Sequence, residues 1–125
     1  MLMKSNIRIT TLNVRSIQDY KKRKSLCDWL TKHHNGIFFL QETHSVEENF
    51  RTWFTDWNFE VFVSHGTSNS RGVAILIPKS MNPVVHWQQT DNAGRIIIVN
   101  VTLDNENFTL ANCYFPTKNK QKEQI

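Results

Sequence analysis

Three polar residues next to β-prone runs are the candidates for chemistry in this chain. Glu42 follows an apolar run in IFFLQETH, and Asn13 follows another in ITTLN. Tyr114 lies in ANCYFP. A short apolar run that turns polar is typical of a buried strand whose carboxyl end delivers side chains to the crevice where α/β proteins bind ligands. A carboxylate held there is a good ligand for magnesium. Glu42 is therefore a candidate metal ligand.

Each of these three residues also has a purely structural interpretation. A glutamate at the end of a strand can cap the helix that follows, and an asparagine after a strand is a common turn residue. A tyrosine in a strand is often a half-buried aromatic of the core. The residue types alone leave both interpretations open.

The first part of the chain has a β-α-β pattern that would bring Asn13 and Glu42 together. Ile7 to Leu12 predicts a strand, and residues 20–33 carry apolar side chains at helical spacing. Asn35 and Gly36 would end that helix, and residues 37–41 predict the next strand. Such a unit implies parallel strands joined by a right-handed crossover.

A second helix is predicted to begin at Ser45. Ser45 and Glu48 have the spacing of a capping box. Apolar residues then recur with a helical period at Val46, Phe50, Trp53, Phe54 and Trp57. An aromatic stripe of this kind is expected to be core rather than a platform for stacking bases.

The second half of the chain predicts five strands in an antiparallel meander. Their β-branched and aromatic runs cover residues 59–64, 73–78, 84–88, 95–102 and 108–115. Residues 66–72 form a polar loop between two of them, and residues 104–107 a hairpin turn.

Composition sets the class of protein and its compartment. A chain of 125 residues with 39% apolar residues suits one globular domain. Cys27 and Cys113 have no metal-binding spacing, so we expect free core thiols in a reducing compartment. No apolar leader or membrane span occurs, which predicts an intracellular protein, nuclear or cytoplasmic, that is neither secreted nor membrane-bound.

The charge of the chain points weakly to an acidic partner. A net charge of +4 with a pI near 9.3 suits binding to phosphates. The basic runs at Lys21–Lys24 and Lys118–Lys122 also fit solvated faces.

Taken together and in order, these motifs resemble the endonuclease/exonuclease/phosphatase superfamily, most closely the endonuclease domain of non-LTR retrotransposon polyproteins. The resemblance covers nearly the whole chain: LNVRS, KRKSLCDWL, IFFLQETHS, SHGTSNSRGVAILI, GRIIIVNV and ANCYFP. It implies an α/β fold, a two-sheet sandwich flanked by helices. It also implies phosphodiester hydrolysis that depends on Mg2+, with Mn2+ as an alternative, and that nicks target DNA.

The resemblance also implies roles for individual residues. Glu42 is similar to the family's metal-binding glutamate, and Asn13 to the asparagine that helps to place metal and phosphate. Tyr114 matches the tyrosine whose hydroxyl reaches the scissile phosphate. Arg15, His44 and Arg71 are candidates for nucleic-acid binding, although His44 could instead cap the next helix. Thr117 departs from the asparagine that often follows Tyr-x-Pro.

Two motifs of the resembled family are absent from this sequence. Neither Gly-Asp-x-Asn nor Ser-Asp-His occurs, and both carry catalytic groups in the family's second half. We therefore expect residues 1–125 to be an N-terminal fragment that is inactive alone and has a bare apolar sheet face. The expected partners are DNA, the C-terminal half-domain and a downstream reverse transcriptase. The alternative is a non-catalytic nucleic-acid-binding remnant.

Overall fold

The first sheet holds four strands in the spatial order β1-β2-β4-β3. These strands are β1 (Arg8–Asn13), β2 (Gly36–Gln41), β3 (Phe59–Ser64) and β4 (Val73–Pro78). β1 and β2 are parallel, and β4 is antiparallel to both β2 and β3. The structure, a computed structural model, describes residues 7–33 and 36–115. The parallel pairing predicted for the first two strands is confirmed.

Helix α1 (Tyr20–Lys32) connects β1 to β2. It begins where the Asp19 side chain accepts a hydrogen bond from the Lys22 amide at 3.2 Å. The prediction that Gly36 ends this helix is wrong, because the helix stops at Lys32 and Gly36 is the first residue of β2. A Cβ atom at Gly36 would lie 2.7 Å from the Arg8 carbonyl oxygen, so the close approach of β1 explains the glycine. Asn35 lies outside the described residues.

The helix predicted from Ser45 is mostly absent. Residues 47–49 form a 3₁₀ turn, and α2 (Phe50–Trp53) adds one α-helical turn. The capping box is wrong because the cap position is Val46. The buried Ser45 hydroxyl instead lies 3.0 Å from Thr43 Oγ1 and 3.0 Å from His65 Nδ1. The Ser45 side chain therefore makes tertiary hydrogen bonds and is not available to cap a helix.

The second sheet contains β5 (Val84–Thr90), β6 (Ile96–Leu103) and β7 (Glu106–Cys113). The three strands pair antiparallel in that order. All five predicted strands are observed, but they do not form one meander, because β3 and β4 join the first sheet. β6 and β7 are joined by Asp104 and Asn105, both with positive φ (52° and 66°), the signature of a two-residue type I′ hairpin.

Two apolar layers hold the fold together. The helices pack on one face of the first sheet, where the predicted aromatic core is confirmed at Trp53, Phe54 and Trp57. The second sheet packs on the opposite face through residues of β6 and β7. β4 is buried along its whole length, as its uninterrupted apolar sequence favours. The expected bare face is therefore wrong: the chain itself supplies the second sheet that covers it. The α/β two-sheet sandwich with flanking helices is confirmed.

The two thiols occupy different environments. Both are free, Cys27 half-buried and Cys113 exposed. Cys113 is not the predicted core residue, because it lies on the outward face at the end of β7. Among residues 7–33 and 36–115, no helix is long and apolar enough to cross a membrane. Thr117 and the basic run 118–122 fall outside the described residues.

Candidate active site

The carboxyl ends of β1 and β2 lie side by side and carry two of the predicted residues. Asn13 ends β1 and pairs in register with Gln41, the last residue of β2. Glu42 follows directly. Tyr114 follows β7, which belongs to the other sheet. The site therefore forms where both sheets meet at one edge of the sandwich.

The three side chains meet at one carboxylate oxygen. Asn13 Nδ2 donates to Glu42 Oε2 at 2.8 Å, and the Tyr114 hydroxyl donates to the same oxygen at 2.6 Å. Among the described residues, both hydrogen bonds recorded for the Glu42 side chain end on Oε2. Oε1 is therefore the oxygen of Glu42 that can face a ligand.

These hydrogen bonds fix the protonation states of the cluster. The bonds from Tyr114 and Asn13 lower the pKa of Glu42 because they favour the charged carboxylate, and the nearby His44 and Arg15 lower it further. The bond to Glu42 raises the pKa of Tyr114, because ionising the phenol would lose the bond and place two negative charges together. At neutral pH the site holds an ionised glutamate and a neutral tyrosine.

The loops around Glu42 have an unusual backbone. Of the nine non-glycine residues with positive φ in the described part of the chain, five lie here: Arg15, Ser16, Glu42, His44 and Arg71. A left-handed conformation costs such a residue about 1 kcal/mol or more. Backbone hydrogen bonds hold it, from Ser16 to the Glu42 carbonyl at 2.6 Å and from His44 to the Arg71 carbonyl at 2.8 Å. Backbone hydrogen bonds to the loops on either side therefore hold the strained segment in place.

Gly72 lets the loop of residues 66–72 approach this segment. Its φ is +97°, and a Cβ atom there would lie 2.2 Å from Thr43 Oγ1. Its carbonyl accepts from the Thr43 amide at 3.0 Å, and its amide donates to the Gly94 carbonyl at 2.9 Å. Gly72 therefore connects the Glu42 segment to the turn that precedes β6.

The three residues predicted to bind nucleic acid lie on the loops beside Glu42. Arg15 is exposed, and its amide donates to Asn13 Oδ1 at 3.0 Å. His44 is half-buried and does not cap the following turn, whose cap position is Val46. Arg71 is half-buried, and its Nε is a buried donor with no partner in the described part of the chain. All three therefore lie on loops beside Glu42, and their contact with nucleic acid stays a prediction.

Sequence reasoning missed the polar residues behind the cluster. Asn112 is 2% exposed and lies against Gln41, whose Nε2 donates to Asn112 Oδ1 at 3.0 Å. The available signal was an asparagine on the inward face of β7, two residues from Leu110 and two from Tyr114. Ser45 and His65 were also missed, and burial lowers the pKa of His65.

The donor set fits a magnesium ion held by one carboxylate. Within residues 7–33 and 36–115, no group of three or more His, Cys, Asp or Glu side chains could hold a metal. Mg2+ in phosphate-processing sites is often bound by one or two carboxylates together with water and substrate phosphate. Glu42 fits that pattern. Asn13 Oδ1 accepts one hydrogen bond from Arg15 and retains a second lone pair.

Comparison with known proteins identifies the family. Residues 10–123 match the endonuclease/exonuclease/phosphatase family. The chain belongs to that family. It is also 28% identical over 117 residues to the 149 kDa protein of transposon TX1 from Xenopus laevis, a match that covers 94% of this chain and 9% of that protein.

Solved structures share the fold of this family member. An AP endonuclease from Archaeoglobus fulgidus has a TM-score of 0.62 and 24% identity, covering 89% of this chain and 42% of that one. The 3′ phosphatase NExo from Neisseria, bound to a product DNA hairpin, has a TM-score of 0.65 and 21% identity, covering 95% and 48%. The chain thus spans less than half the length of either structure.

Proposed function

We propose that this chain supplies one wall of a divalent-metal-dependent endonuclease site that hydrolyses phosphodiester bonds in DNA. The observation that carries the proposal is the meeting of Asn13, Glu42 and Tyr114 at one carboxylate oxygen. Family membership supports phosphodiester hydrolysis as the class of reaction. The similarity to a transposon protein supports DNA as the substrate and target-DNA nicking as the activity.

Each residue of the cluster has a separate task in this proposal. Glu42, ionised at neutral pH, would hold Mg2+ or Mn2+ through Oε1, with Asn13 as a second ligand. When bound, such an ion polarises a phosphoryl oxygen and stabilises the leaving oxyanion. Tyr114 and Asn13 are neutral donors, so they orient the carboxylate without adding negative charge. The second N–H of Asn13 can donate to phosphate.

The loops around the cluster would bind the DNA backbone. Arg15, His44 and Arg71 lie on the loops beside Glu42, and a phosphate oxygen would satisfy the buried Nε of Arg71. The net charge of +4 has the sign that DNA requires.

We further propose that residues 1–125 do not hydrolyse DNA alone. The sequence contains neither Gly-Asp-x-Asn nor Ser-Asp-His, and catalytic groups that act as a unit lose almost all activity when several are missing. The active protein would then be an intracellular retrotransposon-type polyprotein that adds a C-terminal half-domain and a reverse transcriptase.

Metal binding tests the role of Glu42 without relying on activity. Mn2+ added to the 15N-labelled chain should broaden the amide signals near Asn13, Glu42 and Tyr114. Glu42→Gln should abolish this broadening. Glu60→Gln, the same change at an exposed residue of β3, should leave it intact. Broadening that persists in Glu42→Gln would refute a metal site at Glu42.

A nicking assay on supercoiled plasmid tests the reaction. With Mg2+, a longer chain that carries both missing motifs should nick the plasmid, and Glu42→Ala should abolish nicking. The 125-residue chain should show none. Nicking by the short chain that Glu42→Ala abolishes would overturn the proposed inactivity, and nicking by the longer chain that survives Glu42→Ala would overturn the proposed site.

The alternative function is nucleic-acid binding without catalysis, which the basic charge and the Arg71 Nε, unpartnered among the described residues, favour. It predicts salt-dependent DNA binding that needs no Mg2+ and survives Glu42→Ala. A longer chain that binds DNA in this way and never nicks would establish it.

A further inference from the structure

Asn112 is a buried polar residue whose side-chain amide joins the two sheets. It is 2% exposed and lies on β7, in the second sheet. Its Nδ2 donates to the Leu40 carbonyl at 2.9 Å and to the Ala74 carbonyl at 2.8 Å, on β2 and β4 of the first sheet. Its Oδ1 accepts from Gln41 Nε2 at 3.0 Å. One amide therefore ties β7 to both central strands of the other sheet.

Asn112 and its partner Gln41 lie close to Tyr114 and Glu42, the two residues of the 2.6 Å side-chain bond. Gln41 directly precedes Glu42, and Tyr114 is two residues beyond Asn112. Tyr114 directly follows β7 and its hydroxyl contacts Glu42, so Asn112 and Tyr114 both face the first sheet. The Gln41 amide is itself held, because its Nε2 also lies 2.7 Å from Thr11 Oγ1 on β1. The bridge therefore runs from β1 through Gln41 to Asn112.

Apolar packing alone would not hold β7 in this register. Leu110 and the residues around it bury area between the sheets, but burial is not directional and tolerates small sliding movements. Hydrogen bonds to two carbonyl oxygens and one amide are directional, and breaking them would leave buried polar groups without partners. The 2.6 Å bond between Tyr114 and Glu42 is also directional, so it depends on where β7 lies relative to β2.

We propose that Asn112 is a positioning residue that sets the Tyr114 hydroxyl against Glu42 by fixing β7 on β2 and β4. The inference rests on the proposed function only in taking the Glu42–Tyr114 pair as part of the active site. Asn112 itself contacts neither substrate nor metal in this assignment.

The NMR signal of a single labelled tyrosine reports whether the Tyr114 hydroxyl is aligned with Glu42. The chain has two tyrosines, so Tyr20→Phe with [13Cζ]tyrosine leaves one signal, from Tyr114. At neutral pH this signal should differ from that of a solvated tyrosine, because the Tyr114 hydroxyl is bonded to Glu42. Asn112→Ala should shift the signal toward that of a solvated tyrosine.

Leu110→Ala is the matched control, because it also removes buried contacts between the sheets but leaves the amide bridge. It should destabilise the protein with no change in the Tyr114 signal. Equal shifts in both variants, or no shift in Asn112→Ala, would overturn the inference. If Asn112→Ala does not fold, Gln41→Ala decides: it should shift the Tyr114 signal in the same direction, and an unchanged signal would overturn the inference.

The outcome is separable from that of the proposed function. The Tyr114 signal is measured without metal or DNA. Asn112→Ala can therefore leave this signal unchanged while Glu42 still binds Mn2+. Conversely, loss of the Mn2+ response would leave the measured alignment intact. In a longer chain that nicks DNA, Asn112→Ala should lower kcat more than it changes KM.

Discussion

Replacing Tyr114 with phenylalanine removes one oxygen atom and the 2.6 Å hydrogen bond to Glu42. A hydrogen bond to a charged group contributes about 1.5–3 kcal/mol when its partner is left buried. Tyr114 and Glu42 are only half-buried, so water replaces part of the lost interaction. We therefore expect Tyr114→Phe to lower the free energy of unfolding by about 1 kcal/mol at pH 7, or about 4 °C in Tm.

The loss of unfolding free energy in Tyr114→Phe should depend on pH in a defined direction. The pKa of Glu42 is lower in the folded protein than in the unfolded chain, where it is about 4.3. The carboxylate therefore stabilises the fold above the unfolded pKa, and this stability is lost as the pH falls through the folded pKa. The difference between the wild type and Tyr114→Phe should be full at pH 7 and should shrink by pH 3.

Urea denaturation followed by tryptophan fluorescence at pH 7 and pH 3 measures both quantities. Tyr20→Phe is the control, because it removes a hydroxyl from the other tyrosine, which is 66% exposed. It should change stability little at either pH. An equal loss for Tyr114→Phe at both pH values would show that ring packing, not the bond to ionised Glu42, is affected. No loss of stability at pH 7 would refute the hydrogen bond between Tyr114 and Glu42.

Three further changes test the loops and the DNA-binding proposal. Gly72→Ala should lower the free energy of unfolding by about 2–3 kcal/mol in urea denaturation, since its φ is +97° and its Cβ would clash with Thr43; a neutral effect would contradict this packing. Asn105→Gly should raise stability by up to about 0.5 kcal/mol, because glycine is favoured where φ is positive in the type I′ hairpin; a loss would argue against that turn. Arg71→Ala should weaken binding of labelled duplex DNA, measured by fluorescence anisotropy, and lower the slope of log K against log salt by about one. Lys79→Ala, beyond the other end of β4, should change neither the binding nor the slope.

Local patterns were sufficient for most of the elements. The period of α1 and the alternation of the strands depend on neighbouring residues, so their bounds were predicted to within two residues in most cases. The segment after Gln41 was predicted wrongly because Ser45 is used by His65, twenty residues away, and not by the backbone beside it. The placement of β3 and β4 in the first sheet was missed for the same reason, since pairing partners of a strand are not encoded locally.

The sequence by itself determined which chemical groups end the strands: a carboxylate at position 42, an amide at position 13 and a phenol at position 114. Only the tertiary structure decided that they share one oxygen atom. Asn13 lies 29 residues from Glu42, and Tyr114 lies 72 residues from it on a different sheet. Their contact depends on burial of apolar surface between the sheets and on the amide of Asn112. Both are long-range interactions, so no run of neighbouring residues specifies them.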